Sequence, residues 1–301
     1  MTYVTEAHAF YPNYRHMTVV SDDDPFEAGT DYGHTYRLVL VSGGSGLLRM
    51  NGKLYPLHAP SILCLNEQDE ALIVSGAEPK TLTVFFHPAV INRQFRLDMP
   101  EPADMTLTDF QDLWCLDPFR DRSAAGAAAC RFGIDVDTAA FARKLIEEMR
   151  VNLIRQPDEQ WPCRSRSLLM ELLFLVRRLL ARGGDQPDEP LPEEASVLGT
   201  MLAYLHVNYR AKVKLEELAH RFHTNRTTLN EQFKASTGRS VMAYLNDIRM
   251  QNAGSMLRNT RLPVEEIMLA VGMRDQAHFA RTFRKHAGYS PSEYRSRFCT
   301  M

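Results

Sequence analysis

Two stretches in the last third of this 301-residue chain set polar side chains at helical spacing against large apolar ones: RTTLNEQFKASTGRS (Arg226–Ser240) and QAHFARTFRKHAGYS (Gln276–Ser290). At 100° per residue, Leu229 and Phe233 share one face of the first stretch. Thr227, Glu231 and Lys234 lie opposite, with Thr228 and Asn230 on the flanks. In the second, Phe279 and Phe283 point one way, while Ala277, Arg281 and Arg284 point the other, with Gln276 and His278 beside them. Side chains of these types read base edges. A guanidinium such as Arg281 donates two parallel hydrogen bonds to guanine O6 and N7, and the amides of Gln276 and Asn230 match adenine. Lys234, Arg239, Arg284 and Lys285 lie further along and suit phosphate oxygens, which supply affinity without sequence information. Glu231 is either an acceptor for cytosine N4 or a solvated carboxylate.

Other chemistry finds little support. His34, His58 and His87 stand alone, and no His-x-His occurs. His220 and His223 form the only close pair, with no third ligand near them in sequence. The chain has no GxSxG, no P-loop and no CxxC, and its five cysteines are widely spaced. No catalytic residue, metal ligand or cofactor is therefore expected. The cysteine usage suits a reducing compartment. No apolar run reaches the length of a membrane span, and the first sixteen residues lack a secretory core, so a soluble cytoplasmic protein is expected.

The charges divide unevenly. Residues 195–301 carry 16 Lys and Arg against 8 Asp and Glu, a net of +8; the first 194 carry 19 against 29, a net of −10. A basic tail on an acidic partner is a common arrangement for binding nucleic acid.

The elements that must position these residues follow a coarse pattern. Residues 34–90 hold short apolar runs (YRLVLVSG, GLLRMNGKLYPL, SILCLN, TLTVFF) broken by Gly and Pro. Asn51-Gly52 between two of them marks a two-residue hairpin. This reads as a small barrel or sandwich. From about Asp137 the period becomes helical. The segment SLLMELLFLVRRLLARGG carries two apolar stripes. One, Leu168/Leu172/Leu175/Leu179, is a candidate dimer seam; packing of the whole helix into one chain's core is the equal alternative. The acidic, Pro-rich stretch 183–194 reads as a linker between an N-terminal domain (1–182) and a C-terminal one (195–301).

The two polar stretches are copies. Leu215-Glu216-Glu217-Leu218 corresponds to Val264-Glu265-Glu266-Ile267 at an offset of 49. Beyond the following turn the offset is 50, so the second turn holds one residue more. Each copy is a short helix, a turn and a longer helix, which is the helix-turn-helix pattern.

On these residues, with Arg249…Ala253…Leu257 between the copies and the closing GYSPSEYR, the segment Val197–Arg297 resembles the double helix-turn-helix domain of AraC/XylS-type transcription regulators. Met268 and Met273 stand where that family usually has Ala and Phe. The 34–95 segment is similar, more loosely, to the cupin-type sensor domain of many such regulators. The resemblance implies an α+β chain: an N-terminal cupin-like β-barrel with appended dimerisation helices, then an all-α domain with two helix-turn-helix motifs. It implies two recognition helices in successive major grooves of promoter DNA, a homodimer, and RNA polymerase as a further partner. It implies a small effector in the barrel, with His34, Tyr36, Arg37, Arg49 and His87 as candidate contacts, and activation rather than repression. The aromatic-rich residues 2–16 form either an arm across the barrel mouth or a tail without fixed structure. Two rival readings stand beside this one: a metal-dependent cupin enzyme with an accessory DNA-binding tail, and an adaptor whose helices bind protein.

Overall fold

The computed structural model describes residues 3–23, 25–26, 35–76, 79–97, 105–120, 131–181 and 197–298. The chain divides into two compact units. One comprises Met1–Ile134 and Thr138–Pro190, the other Leu191–Met301 with Asp135–Asp137. The expected linker, 183–194, lies outside the described residues.

The first unit is built on strand β4 (Tyr36–Gly43), whose residues Tyr36–Val41 are all buried. A strand with both faces covered reads as an unbroken apolar run rather than an alternation, as YRLVLV does. Around it a five-stranded antiparallel sheet runs in the order β10-β7-β4-β9-β3. Its other strands are β3 (Thr18–Ser21), β7 (Ser61–Leu65), β9 (Lys80–Phe86) and β10 (Arg131–Gly133). A separate three-stranded sheet, β6-β5-β8, joins β5 (Ser45–Met50), β6 (Lys53–His58) and β8 (Ala71–Gly76). The hairpin between β5 and β6 turns on Asn51 (φ 51) and Gly52 (φ 76), with Met50 opposite Lys53. These positive angles are those a two-residue type I′ turn demands.

Val39 and Val41 pack with Leu48, Met50, Tyr55 and Leu57 of the small sheet. Tyr36, Leu38 and Leu40 face the other way, into a core shared with α1 (Leu107–Trp114), α2 (Asp117–Arg120), α3 (Val136–Arg155) and α4 (Trp161–Ala181). The unit is thus layered: small sheet, large sheet, helices. Among the described residues the sheets do not close into the barrel expected from the sequence, and no ladder joins the two. At Gly44 (φ 91) the chain leaves one sheet for the other, and the far face of the large sheet carries apolar rows that need a helical cover.

The N-terminal residues form a two-stranded pair, β1 (Thr5–Glu6) with β2 (Arg15–His16), seated at the α3–α4 corner. The His8 amide donates to Gln156 Oε1 (2.9 Å), Gln156 Nε2 donates to the Glu6 carbonyl (2.8 Å), and Tyr11 Oη donates to the Glu159 carbonyl (2.9 Å). His16 is buried against Trp161, and that burial lowers its pKa to about 4.

The second unit is all helical: α5 (Val197–Asn208), α6 (Leu215–Arg221), α7 (Arg226–Thr237), α8 (Val241–Asn259), α9 (Val264–Ala270), α10 (Gln276–Ala287) and α11 (Pro291–Phe298). Its core runs along α8, whose Val241, Leu245, Ile248, Ala253 and Leu257 are buried with Leu229, Phe233, Phe279 and Phe283 from α7 and α10. Met268 and Met273 are buried in the same core, so the two departures from the family pattern are matters of packing. No helix among the described residues is long and apolar enough to cross a membrane.

Candidate nucleic-acid interface

The two motifs are α6–turn–α7 and α9–turn–α10, joined by the strut α8. In both, the first helix ends in the same closed turn. The Thr224 amide donates to the Ala219 carbonyl (2.9 Å), and the Met273 amide to the Met268 carbonyl (3.0 Å). Such a closure needs one left-handed residue. It is His223 (φ 51) in the first motif and Gly272 (φ 78) in the second. A Cβ on Gly272 would lie 2.4 Å from the Arg210 carbonyl oxygen, so backbone approach as well as angle excludes a side chain there.

Both long helices begin on a side-chain cap. Asn225 accepts from the Thr228 amide (2.9 Å) and Asp275 from the His278 amide (2.8 Å). Both end at a left-handed glycine, Gly238 (φ 72) and Gly288 (φ 79). With Leu229, Phe233, Phe279 and Phe283 buried, the opposite faces are open. Thr227, Glu231 and Lys234 are exposed on α7, and Gln276, Ala277, His278, Arg281, Arg284 and Lys285 on α10.

Not every proposed contact is equally free. Asn230 is half-buried, and its Oδ1 accepts from the Val241 amide at 3.1 Å. Exposed Arg239 pairs with Asp247 on α8, which His286 Nδ1 also approaches at 3.6 Å. Arg284 pairs with Glu293 at 3.0 Å. Hydrogen bonds from Ser290, and then the nearby Arg284 charge, hold Glu293 below the usual carboxylate range. Two exposed cations went unpredicted: Arg226, paired with Glu216 at 2.7 Å, and Arg274, just before the α10 cap. Their place at the helix starts, where base contacts concentrate in such motifs, was the available signal.

Arg249 orients the strut. It is 8% exposed, and its guanidinium donates from Nε to the Tyr209 carbonyl (2.8 Å) and from Nη2 to the Ala211 carbonyl (2.9 Å). Burial lowers its pKa. It fixes the turn after α5 whose Arg210 carbonyl abuts Gly272, and so links α8 to the second motif.

The candidate effector contacts do not form one group. Tyr36 is a core residue, stacked on Phe119 at 5.0 Å. Arg37, its neighbour, belongs to the other sheet face. It is buried and donates to the carbonyls of Pro25 (3.1 Å) and Asp69 (2.5 Å). Consecutive strand residues point to opposite faces, so these two cannot line one cavity there. Arg49 is half-buried on β5, and His87 Nδ1 accepts from the Ala89 amide (3.1 Å) at the start of a short turn. His34 lies outside the described residues. A groove of about 230 Å³ opens elsewhere, between β1, β3 and α3, with Glu6, His8, Arg150 and Ile154 in its wall.

The proposed leucine seam is also corrected. Leu172 and Leu175 are 0% and 7% exposed in the chain's own core, and Leu168 and Leu179 pack partly against it. The large sheet needs that apolar cover, and Leu169, Leu172, Leu173, Leu175 and Val176 of α4 supply it. The solvent face of α4 carries Ser167, Glu171, Phe174 and Arg178 instead. Among the described residues no three His, Cys, Asp or Glu side chains are grouped to hold a metal ion.

Residues 218–297 match the family model described as a helix-turn-helix domain. The chain is 24% identical over 295 residues to the HTH-type transcriptional activator RhaS of Escherichia fergusonii, covering 97% of each. It is 23% identical over 288 residues to the same-named protein of Escherichia coli O1:K1, covering 95% of this chain and 94% of that one. Similar solved structures include the C-terminal domain of AraT, a response regulator from Geobacillus stearothermophilus (28% identity, 36% of this chain, 91% of that one, TM-score 0.35). Another is a probable AraC family transcriptional regulator from Rhodopseudomonas palustris (28% identity, 33% and 94%, TM-score 0.31). The fold and the paired motifs define a DNA-binding transcription regulator. Within that class, the chain is similar to regulators of the AraC/XylS type.

Proposed function

We propose that the chain is an effector-controlled transcription activator that lays α7 and α10 in successive major grooves of promoter DNA. The observation that carries this reading is the α10 face Gln276–Ala277–His278–Arg281, exposed opposite buried Phe279 and Phe283 and doubled by Thr227–Glu231–Lys234 on α7. Arg281 takes a guanine and Gln276 an adenine, with Ala277 and His278 beside them; Thr227 and Glu231 occupy the second groove. Lys234, Arg239, Arg284 and Lys285 take phosphates, Arg239 and Arg284 by exchanging their carboxylate partners for phosphate oxygens.

Activation is supported by the relatives, which are named transcriptional activators. In this reading the first unit holds the effector and the protein works in the cytoplasm, without catalytic activity and with RNA polymerase as partner. A second copy would meet α4 on its solvent face, where Phe174 is 48% exposed between Glu171 and Arg178. The test is selection of duplexes from a randomised pool by the full-length protein, followed by titration across salt. A defined consensus is expected. With about 6–10 phosphate contacts, affinity should fall by roughly 10³–10⁵ between 50 and 200 mM salt. Retention of every sequence alike, or none, would refute the reading.

A further inference from the structure

The two motifs solve one problem differently. The first amide of the helix that follows each long helix has no acceptor within its own helix. In the second motif that position is Pro291, which has no N–H, and the facing position on α10 is Ala280. In the first motif the same position is Val241, which has an N–H, and the residue equivalent to Ala280 is Asn230. Its Oδ1 accepts that N–H at 3.1 Å. Asn with Val and Ala with Pro are therefore matched pairs at one site of the repeat. The surroundings agree. Val241 and Pro291 are both buried, and each follows a serine cap, Ser240 or Ser290. Ser240 lies at φ −69, ψ 155, which is where a residue preceding proline must lie.

We propose that Asn230 is a positioning residue: it sets α7 against α8 through the Val241 amide and does not read a base. This rests on the DNA-reading role of α7 and reassigns one of its candidate contacts. With Oδ1 held by an amide, the side chain is not free to turn its oxygen and nitrogen together onto the adenine edge. The bond also ties the middle of the recognition helix to the strut, so losing it lets α7 shift against α8 and weakens every contact that α7 makes.

The test selects duplexes from a randomised pool with the full-length parent, N230A and N230A/V241P, then measures affinity for the parent's consensus. N230A should choose the parent's bases at every position while binding the consensus roughly fivefold more weakly, the scale of one hydrogen bond. The double variant recreates the pairing of the second motif and should recover most of that loss, with the same consensus. Should N230A alone fail to fold, the double variant still decides, because it should fold and keep the parent's bases. A consensus altered at one base pair in either variant overturns the proposal and makes Asn230 a reader. So does full affinity in N230A, or no recovery in the double variant. A parent that selects nothing defeats the regulator reading itself, which is a different result from any of these.

Discussion

The two helix-turn-helix motifs share a plan and differ in materials. At the left-handed turn residue the first has His223 and the second Gly272. Before the following helix, Ser240 accepts one amide, from Ala243 at 3.3 Å. Ser290 and Glu293 cap each other, the Ser290 amide donating to Glu293 Oε2 (2.8 Å) and the Glu293 amide to Ser290 Oγ (3.3 Å). Where the first uses the Asn230–Val241 hydrogen bond, the second uses Pro291. At the start of the following helix, the second motif thus uses a residue that restricts the chain before it folds, and the first a hydrogen bond formed afterwards. The outer faces differ as well. That of α10 offers Arg281, Arg284 and Lys285 and no carboxylate, whereas that of α7 offers Lys234 beside Glu231. The difference points to a strongly cationic recognition face in the second motif, where base reading concentrates, and a weaker, mixed-charge one in the first.

The sharpest way to break this contrast is at the turns. Gly272→Ala must either move the Arg210 carbonyl or abandon the turn, and it adds a left-handed alanine. A loss of about 3 kcal/mol or more is expected. His223→Ala, at the matching position, exchanges one strained side chain for another and should cost less than about 1 kcal/mol. Denaturant unfolding of both variants measures the gap. Equal losses would mean that the two turns are equally constrained.

Next in size come the outer faces. Arg281→Ala is expected to cost about 1–3 kcal/mol on the selected site and to relax preference at one base pair. Lys234→Ala should weaken binding evenly across sequences and reduce the salt slope by about 1. If Arg281→Ala chose the parent's sites, α10 would be an anchor only, and reading would rest elsewhere.

How much of this was legible in the sequence follows from the physics of each part. The repeat was readable because a helix exposes its plan at fixed spacing. Leu229, Phe233, Phe279 and Phe283 had to be buried, and the one-residue insertion appears as the turn Val271–Arg274 against Phe222–Thr224. The hairpin at Asn51-Gly52 was readable for an equally local reason. What failed depended on partners distant in sequence. YRLVLV shows that β4 is covered on both faces, but not that helices rather than a closing sheet cover one of them. The same missing fact left Leu172 and Leu175 looking available for a second chain. Arg37 looked like a ligand-binding cation because its acceptors are backbone carbonyls, which no side-chain pattern marks. Asn230 is of the same kind: helical spacing places it beside the outer face, and only the fold brings the Val241 amide to it.

The smallest expected effect tests the sign of charge on α7. Glu231 is exposed one helical turn from Lys234, on the face assigned to DNA. As a solvated carboxylate it repels phosphates, so Glu231→Gln, which keeps the shape and removes the charge, should tighten binding about two- to threefold at low salt. Because that repulsion passes through solvent, the gain should shrink as salt rises and the Debye length falls below about 10 Å. A carboxylate that accepts from cytosine N4 predicts the reverse. Affinity would then drop, preference would change at a single pair, and the change would persist at high salt. Affinity titrations of parent and variant at two salt concentrations separate the cases. The second outcome would give the first motif a reader of its own, placing base discrimination in both grooves rather than chiefly under α10.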